Sequence, residues 1–303
     1  MKKISAALVL SLVSIFSFSQ KASDKSLLWK VSGNGITRPS YLFGTIHMIC
    51  KEDARLSDSM KKIIGEADEV YLEVDMDNMM EMVGMMKEMK MKGDTTLKDL
   101  LPADDYAAVK EYFTKHSGIL PFPLLETYKP ILAASVLQQG SFKCDATAME
   151  QVIMTEAKKH NKKILGLETM SYQASVLDEI PYRVQAEQLL SYIRDENKGT
   201  ADSTVSDSDA EFNEMMDAYR QQDIDKLEAV MMKSDLGIGD YTDILLYKRN
   251  YNWIEKMKKL LPDNKLLIAV GAGHLPGKKG IINLLREAGF TVTPVVNNNL
   301  RSI

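Results

Sequence analysis

The chain has 303 residues, of which 45% are hydrophobic and 26% are charged, a composition typical of a globular protein. Its formal net charge of -4 at pH 7 gives no basic field, which argues against nucleic acid as a partner. Removal of an export signal would leave roughly 280 residues, so one large domain or two tightly fused halves is expected.

The first residues have the three-part layout of a secretory signal peptide. Lys2 and Lys3 precede an apolar run from Ile4 to Phe18, and small or polar residues follow. The run is short for a membrane span, although an uncleaved anchor is the alternative. We therefore predict a signal peptide at residues 1–20, a mature domain at residues 24–303, and a periplasmic or secreted protein without stable membrane insertion.

Cys50 and Cys144 are the two cysteines of the sequence. An even pair in an oxidising compartment favours a disulfide. Two buried thiols or a metal pair are the alternatives, although two sulfurs alone make a poor metal site.

The first part of the mature chain predicts a hairpin and then an α/β unit. Leu27 to Val31 and Tyr41 to Phe43 are predicted strands on either side of a turn that contains Asn34-Gly35. Apolar residues recur at helical spacing from Leu56 to Ala67. Val70 to Val74 is then a predicted strand that ends among acidic residues.

A methionine-rich stretch follows, with eight methionines between Met76 and Met91. Its composition favours a helix, and the expected arrangement is an amphipathic helix that packs on the core. Two alternatives stay open. The segment could form an adaptable surface or groove that docks a partner through Met82, Met85, Met86 and Met89. It could also bind copper.

The remaining sequence predicts a largely helical middle and a return to alternating strands and helices. The fold class predicted is therefore α/β. The predicted segments are a mostly helical part at 104–159, a strand at 163–168, helices at 182–192, 210–232 and 241–261, a polar loop at 196–209, strands at 265–270 and 290–296, and a helix at 279–288.

Two of the four histidines occur in the same local pattern, directly after a predicted strand. The patterns are Gly44-Thr45-Ile46-His47 and Gly271-Ala272-Gly273-His274. Ligands bind at the carboxyl ends of strands in open α/β sheets, and glycine permits tight turns and close approach. Glu73, at another strand end, would complete a two-His, one-carboxylate metal set. A hydrogen-bonded structural histidine is the alternative at each position.

Other catalytic patterns are missing from the sequence. There is no Gly-x-Ser-x-Gly nucleophile elbow, no His-Glu-x-x-His helix and no glycine loop of the phosphate-binding kind.

Five elements, in order, resemble the signatures of the TraB/GumN family, which includes the TIKI proteins. They span about residues 27 to 296. The resemblance implies a fold similar to erythromycin-esterase and ChaN-like proteins, with a central mixed sheet wrapped by helices. The elements are Tyr41 to His47, Tyr71 to Glu73, Gly166 to Thr169, Lys248 to Asn250 followed by Trp253, and Val270 to Leu275.

The resemblance also implies a metal-dependent hydrolase. TIKI members are described as metal-dependent proteases that act on extracellular signalling polypeptides, and plasmid-encoded TraB members as inhibitors of peptide pheromone signalling. A peptide or protein substrate is therefore expected. Manganese, cobalt and zinc all accept nitrogen and oxygen ligands.

The hypothesis assigns His47 and His274 as metal ligands and Glu73 as the third ligand or the base. Glu168 would fix an imidazole, or would exchange roles with Glu73. Arg249 would stabilise an oxyanion or bind a substrate carboxylate, with a buried ion pair as its alternative.

Asn250 is assigned the role of orienting neighbouring groups. The rival hypothesis for the whole site is a protein that binds haem, a metal or a peptide without turning it over.

Overall fold

The computed structural model describes residues 25–116, 121–140, 144–199, 207–233 and 239–298. The strands are β1 (Leu28–Ser32), β2 (Ser40–Thr45), β3 (Ile49–Cys50), β4 (Glu69–Leu72), β5 (Ala146–Thr147), β6 (Lys163–Gly166), β7 (Leu266–Gly271) and β8 (Thr291–Pro294). The helices are α1 (Asp58–Glu66), α2 (Met79–Glu88), α3 (Leu97–Leu100), α4 (Ala103–Lys115), α5 (Phe122–Leu125), α6 (Pro130–Gly140), α7 (Met149–Lys159), α8 (Met170–Val176), α9 (Tyr182–Gly199), α10 (Asp207–Arg220), α11 (Ile224–Lys233), α12 (Lys248–Leu260) and α13 (Ile281–Glu287).

The central sheet has six strands in the order β6-β4-β7-β2-β1-β8. Strands β6, β4, β7 and β2 run parallel, while β1 pairs antiparallel with both β2 and β8. The predicted α/β class, with a central mixed sheet and a largely helical middle, is confirmed.

Strand β7 explains why the centre of the sheet is buried. It begins Leu-Leu-Ile-Ala-Val, and all five of these residues are buried. A parallel strand covered on both faces needs such an unbroken apolar run. Helices α1, α7, α12 and α13 contribute apolar residues to the same core, and a second apolar cluster joins α3, α4, α6 and α9.

The predicted hairpin is present, and its second strand lies beside β7. In the parallel register of β2 and β7, Thr45 faces Gly271. The two Gly-x-x-His segments, more than 220 residues apart in the chain, therefore leave the sheet from neighbouring strands.

The prediction of a polar loop at residues 196–209 is wrong at both ends. Helix α9 continues to Gly199, and α10 begins at Asp207. Glutamate and lysine at the end of α9 favour a helix despite their polarity. Residues 200–206 lie outside the described part of the chain.

The methionine-rich stretch is helical, as predicted, but only its end packs on the core. Met91 is buried, and Met89 is buried in a small apolar cluster against which Met85 packs. No residue of α2 is buried, and Met80 is 82% exposed. The helix rests on α8, where a Cβ added at Gly84 would lie 2.9 Å from the hydroxyl oxygen of Ser171. Apolar composition without a coherent buried face does not specify core packing.

Cys50 and Cys144 form a disulfide, with their Cα atoms 5.7 Å apart. The bond ties the end of β3 to the residues that precede β5, and these two short strands pair antiparallel.

Within the described ranges, no helix combines the length and apolarity needed to cross a membrane. The predicted signal peptide at residues 1–20 lies outside those ranges.

Candidate active site

The four parallel strands of the sheet bring the predicted site residues to one edge. Glu73 directly follows β4, and His47 and His274 stand on the turns after β2 and β7. Glu168 follows β6 in the same way. Because these strands are parallel, their carboxyl ends meet at the same edge of the sheet.

His274 is buried and held in one tautomer by Asn250. Its Nδ1 lies 2.6 Å from Asn250 Oδ1, while the amide nitrogen of Asn250 donates to the carbonyl of Lys279 at 2.9 Å. An amide oxygen only accepts, so Nδ1 of His274 carries the proton and Nε2 presents a lone pair. Burial lowers the pKa of His274 to about 3, so the ring is neutral at pH 7.

Glu73 is a buried carboxylate whose two oxygens have different partners. Oε1 accepts from the backbone N–H of Gly271 at 2.8 Å, and Oε2 accepts from Gln173 at 3.0 Å and Arg249 at 2.5 Å. Burial alone would raise its pKa, but attraction to His274, Arg249 and His47 outweighs burial and lowers the pKa to about 2. Glu73 is therefore ionised at neutral pH.

Two electron-pair acceptors face each other at the centre of the site. His274 Nε2 lies 3.7 Å from Glu73 Oε1. Since the proton of His274 is on Nδ1, no hydrogen lies between these two atoms. In this structure the lone pair of His274 Nε2 accepts from Arg249 Nη1 at 3.3 Å, so a cation shared by the pair would take the place of that N–H.

His47 occupies the same edge in a different state. Its Nδ1 donates to Glu150 Oε1 at 2.9 Å, and Thr45 donates to the same oxygen at 2.6 Å. The hydrogen bond to Glu150 raises the pKa of His47 to about 9, against the opposing effect of burial. The side chain of His47 is 70% exposed because it lines the cavity described below, whose surrounding walls still remove much of the water around the ring.

The other oxygen of Glu150 has no hydrogen-bond partner although it is buried. Buried carboxylate oxygens are normally satisfied. This atom is therefore an unfilled acceptor beside His47.

Arg249 lies between two carboxylates. It bonds Glu73 and also Glu168, at 2.9 Å from Nε and 2.7 Å from Nη2. Nη1 donates to the carbonyl of Leu245 at 2.9 Å and lies 3.3 Å from His274 Nε2. Four hydrogen bonds thus hold the guanidinium. The structure therefore places Arg249 in a buried ion pair with Glu73 and Glu168.

Glu168 is not the partner of an imidazole in this arrangement. Its second oxygen accepts from the indole N–H of Trp253 at 2.9 Å. Burial raises the pKa of Glu168, while Arg249 opposes the rise. The residues that orient the two imidazoles are instead Asn250 and Glu150.

The motif glycines are needed for space and not for backbone freedom. None of Gly44, Gly271 and Gly273 has a positive φ. An added Cβ at Gly44 would lie 2.9 Å from a methyl of Leu275, and one at Gly271 would lie 3.2 Å from Glu73 Oε1. The predicted need for glycine backbone angles at these turns is therefore wrong. Glycine is required there because a side chain would not fit.

A cavity of about 510 Å³ opens on these groups. One end is polar, and the remaining wall is made mainly of aliphatic and methionine side chains. The polar end is lined by Thr45, His47, Glu73, Gln173, Arg249 and His274.

Comparison with known proteins identifies the family. The family model described as TraB/PrgY/gumN matches residues 27–294, nearly the whole described chain. The chain belongs to the TraB/PrgY/gumN family.

Curated proteins similar to this family member are metalloproteases. Metalloprotease TIKI2 of Danio rerio is 22% identical over 90% of this chain and 61% of its own length. Metalloprotease TIKI homolog of Amphimedon queenslandica and Metalloprotease TIKI1 of Homo sapiens are each 20% identical over 90% of this chain and 62% of their own length. The chain thus spans about three fifths of the length of these relatives. No solved structure matches it.

The donor set of this TraB/PrgY/gumN member fits a borderline divalent ion in part. The described residues contain no ready-made group of three His, Cys, Asp or Glu side chains around one point. Two of the three predicted ligands, Glu73 and His274, do lie together, with Glu73 Oε1 3.7 Å from His274 Nε2. The third, His47, lines the same cavity but is held by Glu150.

The net charge of the site residues also favours a bound divalent ion. The described polar groups at this site include three buried carboxylates, Glu73, Glu150 and Glu168, against the cations Arg249 and protonated His47. One negative charge is left uncompensated. A divalent ion that replaced the proton of His47 would neutralise the cluster.

Sequence reasoning missed Glu150 and Gln173. Both lie within helices, in α7 and α8, and reach the site from positions far along the chain from the residues they contact. No local pattern marks them. Asn250, by contrast, was found through the family motif.

Proposed function

We propose that this protein is a metal-dependent hydrolase that cleaves peptide bonds. The observation that carries the proposal is the pair formed by His274 Nε2 and Glu73 Oε1, two acceptors 3.7 Å apart at the end of a cavity. The similarity to metalloproteases supports the reaction class.

In this proposal His47, Glu73 and His274 hold the ion, which is manganese, cobalt or zinc. When bound, such an ion polarises a scissile carbonyl and activates water. The structural support is the neutral state of His274 and the ionised state of Glu73, because ligands must be deprotonated.

Hydrogen bonds from neighbouring residues orient the three proposed ligands. Asn250 keeps the lone pair of His274 on Nε2, and Gln173 and Arg249 hold the outer oxygen of Glu73. Glu150 accepts a hydrogen bond from Nδ1 of His47, so Nε2 is the ring atom that would bind the ion. Partners of this kind fix ring orientation and increase metal affinity.

We also propose export of the chain. The disulfide between Cys50 and Cys144 supports it, since such bonds persist in oxidising compartments. Mass spectrometry of the protein from its native compartment would show a mature N-terminus near residue 20. An intact N-terminus in the cytoplasmic fraction would contradict export.

The test of the hydrolase is cleavage of an unfolded polypeptide after loading with Mn, Co or Zn. Cleavage should stop with a chelator, return with added metal, and fall by at least about a hundredfold in Glu73→Gln. Glu69→Gln is the matched control, because Glu69 begins β4, the strand that Glu73 follows, but does not line the cavity. Cleavage that survives both the chelator and Glu73→Gln would refute the proposal.

The non-catalytic alternative makes a different prediction. A haem-binding protein would give a Soret band on reconstitution with haem, and His274→Ala would remove it. A Soret band together with no cleavage under any metal condition would favour this alternative.

A further inference from the structure

Beyond the polar end, the wall of the cavity is apolar and accessible. Six aliphatic or methionine side chains that line it are only half-buried, so their surfaces face the cavity. A cavity of about 510 Å³ is in the range that binds peptides and other small ligands. The six residues, called here the apolar wall, are Ile131, Leu132, Met215, Met231, Leu245 and Leu246.

The apolar wall is in contact with the candidate catalytic groups. A Cβ added at Gly273 would lie 2.6 Å from the sulfur of Met231, so Met231 packs on the turn that carries His274. Leu245 and Leu246 belong to a π-helical turn, Asp243–Tyr247, whose Leu245 carbonyl holds Arg249. π-Helical turns are frequent at functional sites. A ligand bound against the apolar wall would therefore lie beside His274 and Arg249.

Charge in the cavity is confined to its polar end. Of the described lining residues, the charged ones are His47, Glu73 and Arg249, and Ser135 is the polar residue nearest in sequence to the wall. A charged substrate side chain placed against the wall would lose its hydration without gaining a partner. An apolar side chain would gain by leaving water.

We infer that the apolar wall is the specificity pocket of the enzyme and that it takes a peptide with a large apolar side chain beside the scissile bond. This inference rests on the proposed function for the bond that is cleaved. Methionine is flexible, so Met215 and Met231 make the pocket tolerant of shape, and Leu, Met and Phe are accepted together. Acidic and basic residues are rejected at that position.

The chain offers a matched pair of variants for a test. Met231 faces the cavity, whereas its neighbour Met232 is 52% exposed and does not line it. Met231→Glu should reverse the preference toward Lys and Arg, and Met231→Ala should reduce cleavage of apolar substrates at least about tenfold. Met232→Glu and Met232→Ala should change neither. Circular dichroism and thermal unfolding verify that the variants fold, and Met231→Leu should retain the apolar preference.

Cleavage of a mixed peptide library, read by mass spectrometry, gives the residue preference of each variant. Binding is measured separately by fluorescence anisotropy, with EDTA present and with two labelled short peptides that differ only in a Leu-Met-Phe or an Asp-Lys-Ser core. The apolar peptide should bind wild type at least about tenfold more tightly, and Met231→Glu should remove the difference.

The two readouts separate the inference from the function on which it rests. Selective binding of the apolar peptide without cleavage of any library would reject the hydrolase and retain the pocket. Cleavage without an apolar preference, or equal binding of the two peptides, would overturn the pocket and leave the hydrolase in place.

Discussion

At the residue scale, two histidines in the same sequence motif have opposite acid–base states because His47 bonds a carboxylate through Nδ1, whereas His274 is buried. A carboxylate, Glu150, stabilises the positive charge of His47, whereas the neutral amide of Asn250 gives buried His274 no such compensation. The pKa values are accordingly about 9 and about 3. His274 is neutral but would exchange the N–H of Arg249 for a cation, whereas His47 must first lose a proton.

Histidine NMR titration of the chelator-treated protein tests these states. His47 should stay protonated until pH approaches about 9, and His274 should stay neutral down to about pH 3. Because the folded pKa of His47 is raised, its stabilising bond to Glu150 is fully present below pH 6.5 and is lost as pH rises through about 9. Glu150→Gln should bring the titration of His47 back toward its ordinary range. A wild-type His47 that titrates near 6.5 would contradict the assignment.

Removal of Arg249 should destabilise the protein strongly. Arg249→Met would leave Glu73 and Glu168 buried without their common cation, at a cost of about 3–5 kcal/mol in the free energy of unfolding. Urea denaturation measures the change. The control is Lys248→Met, since the Lys248 side chain is 53% exposed and should matter by less than about 0.5 kcal/mol. Equal stability of the two variants would show that the buried pair is not an essential part of the fold.

At the element scale, the site exists because β2, β7 and β4 are adjacent parallel strands. The sequence predicted these strands and their terminal residues, since apolar runs that end in glycine or acid are local signals. It did not predict that no residue of α2 would be buried, because its five methionines satisfy the composition of a buried helix without providing a buried face. The sequence did not predict the role of Glu150 either. Glutamate is common in helices, and no local pattern indicates that this one bonds His47 at the end of another element.

The close packing of the strand ends gives a prediction for two glycines. Gly271→Ala should place a methyl 3.2 Å from Glu73 Oε1, displace that carboxylate and weaken metal binding. Gly44→Ala should instead overpack the core against Leu275 and lower stability by about 1–3 kcal/mol. Isothermal titration with metal and urea denaturation distinguish the two effects. If Gly271→Ala bound metal as wild type does, the carboxylate would not need its present position.

At the scale of the whole molecule, the sheet order and the disulfide join parts of the chain that are distant in sequence. The α/β class and the two strand-bearing ends followed from alternating patterns, but the strand order of the sheet depends on tertiary packing that no local pattern encodes. The predicted Cys50–Cys144 pair is present in the structure and closes a separation of 94 residues.

Loss of this disulfide should lower overall stability and leave the site intact. Cys50→Ser with Cys144→Ser should reduce the free energy of unfolding by roughly 4 kcal/mol, because the unfolded chain regains the freedom of a long loop. Urea denaturation with and without reductant measures the effect, and metal binding by the folded variant should be unchanged. A stability independent of reductant in wild type would contradict the role given to the bond.

The metal content of the purified protein shows whether the strand ends hold a divalent ion. Elemental mass spectrometry after reconstitution should find about one equivalent of a divalent ion in wild type and none in the double variant His47→Ala, His274→Ala. The control is His116→Ala with His160→Ala, since both of these histidines are exposed and neither lines the cavity. It should retain the wild-type content. Equal metal content in all three proteins, or none in any of them, would contradict a metal centre at the strand ends.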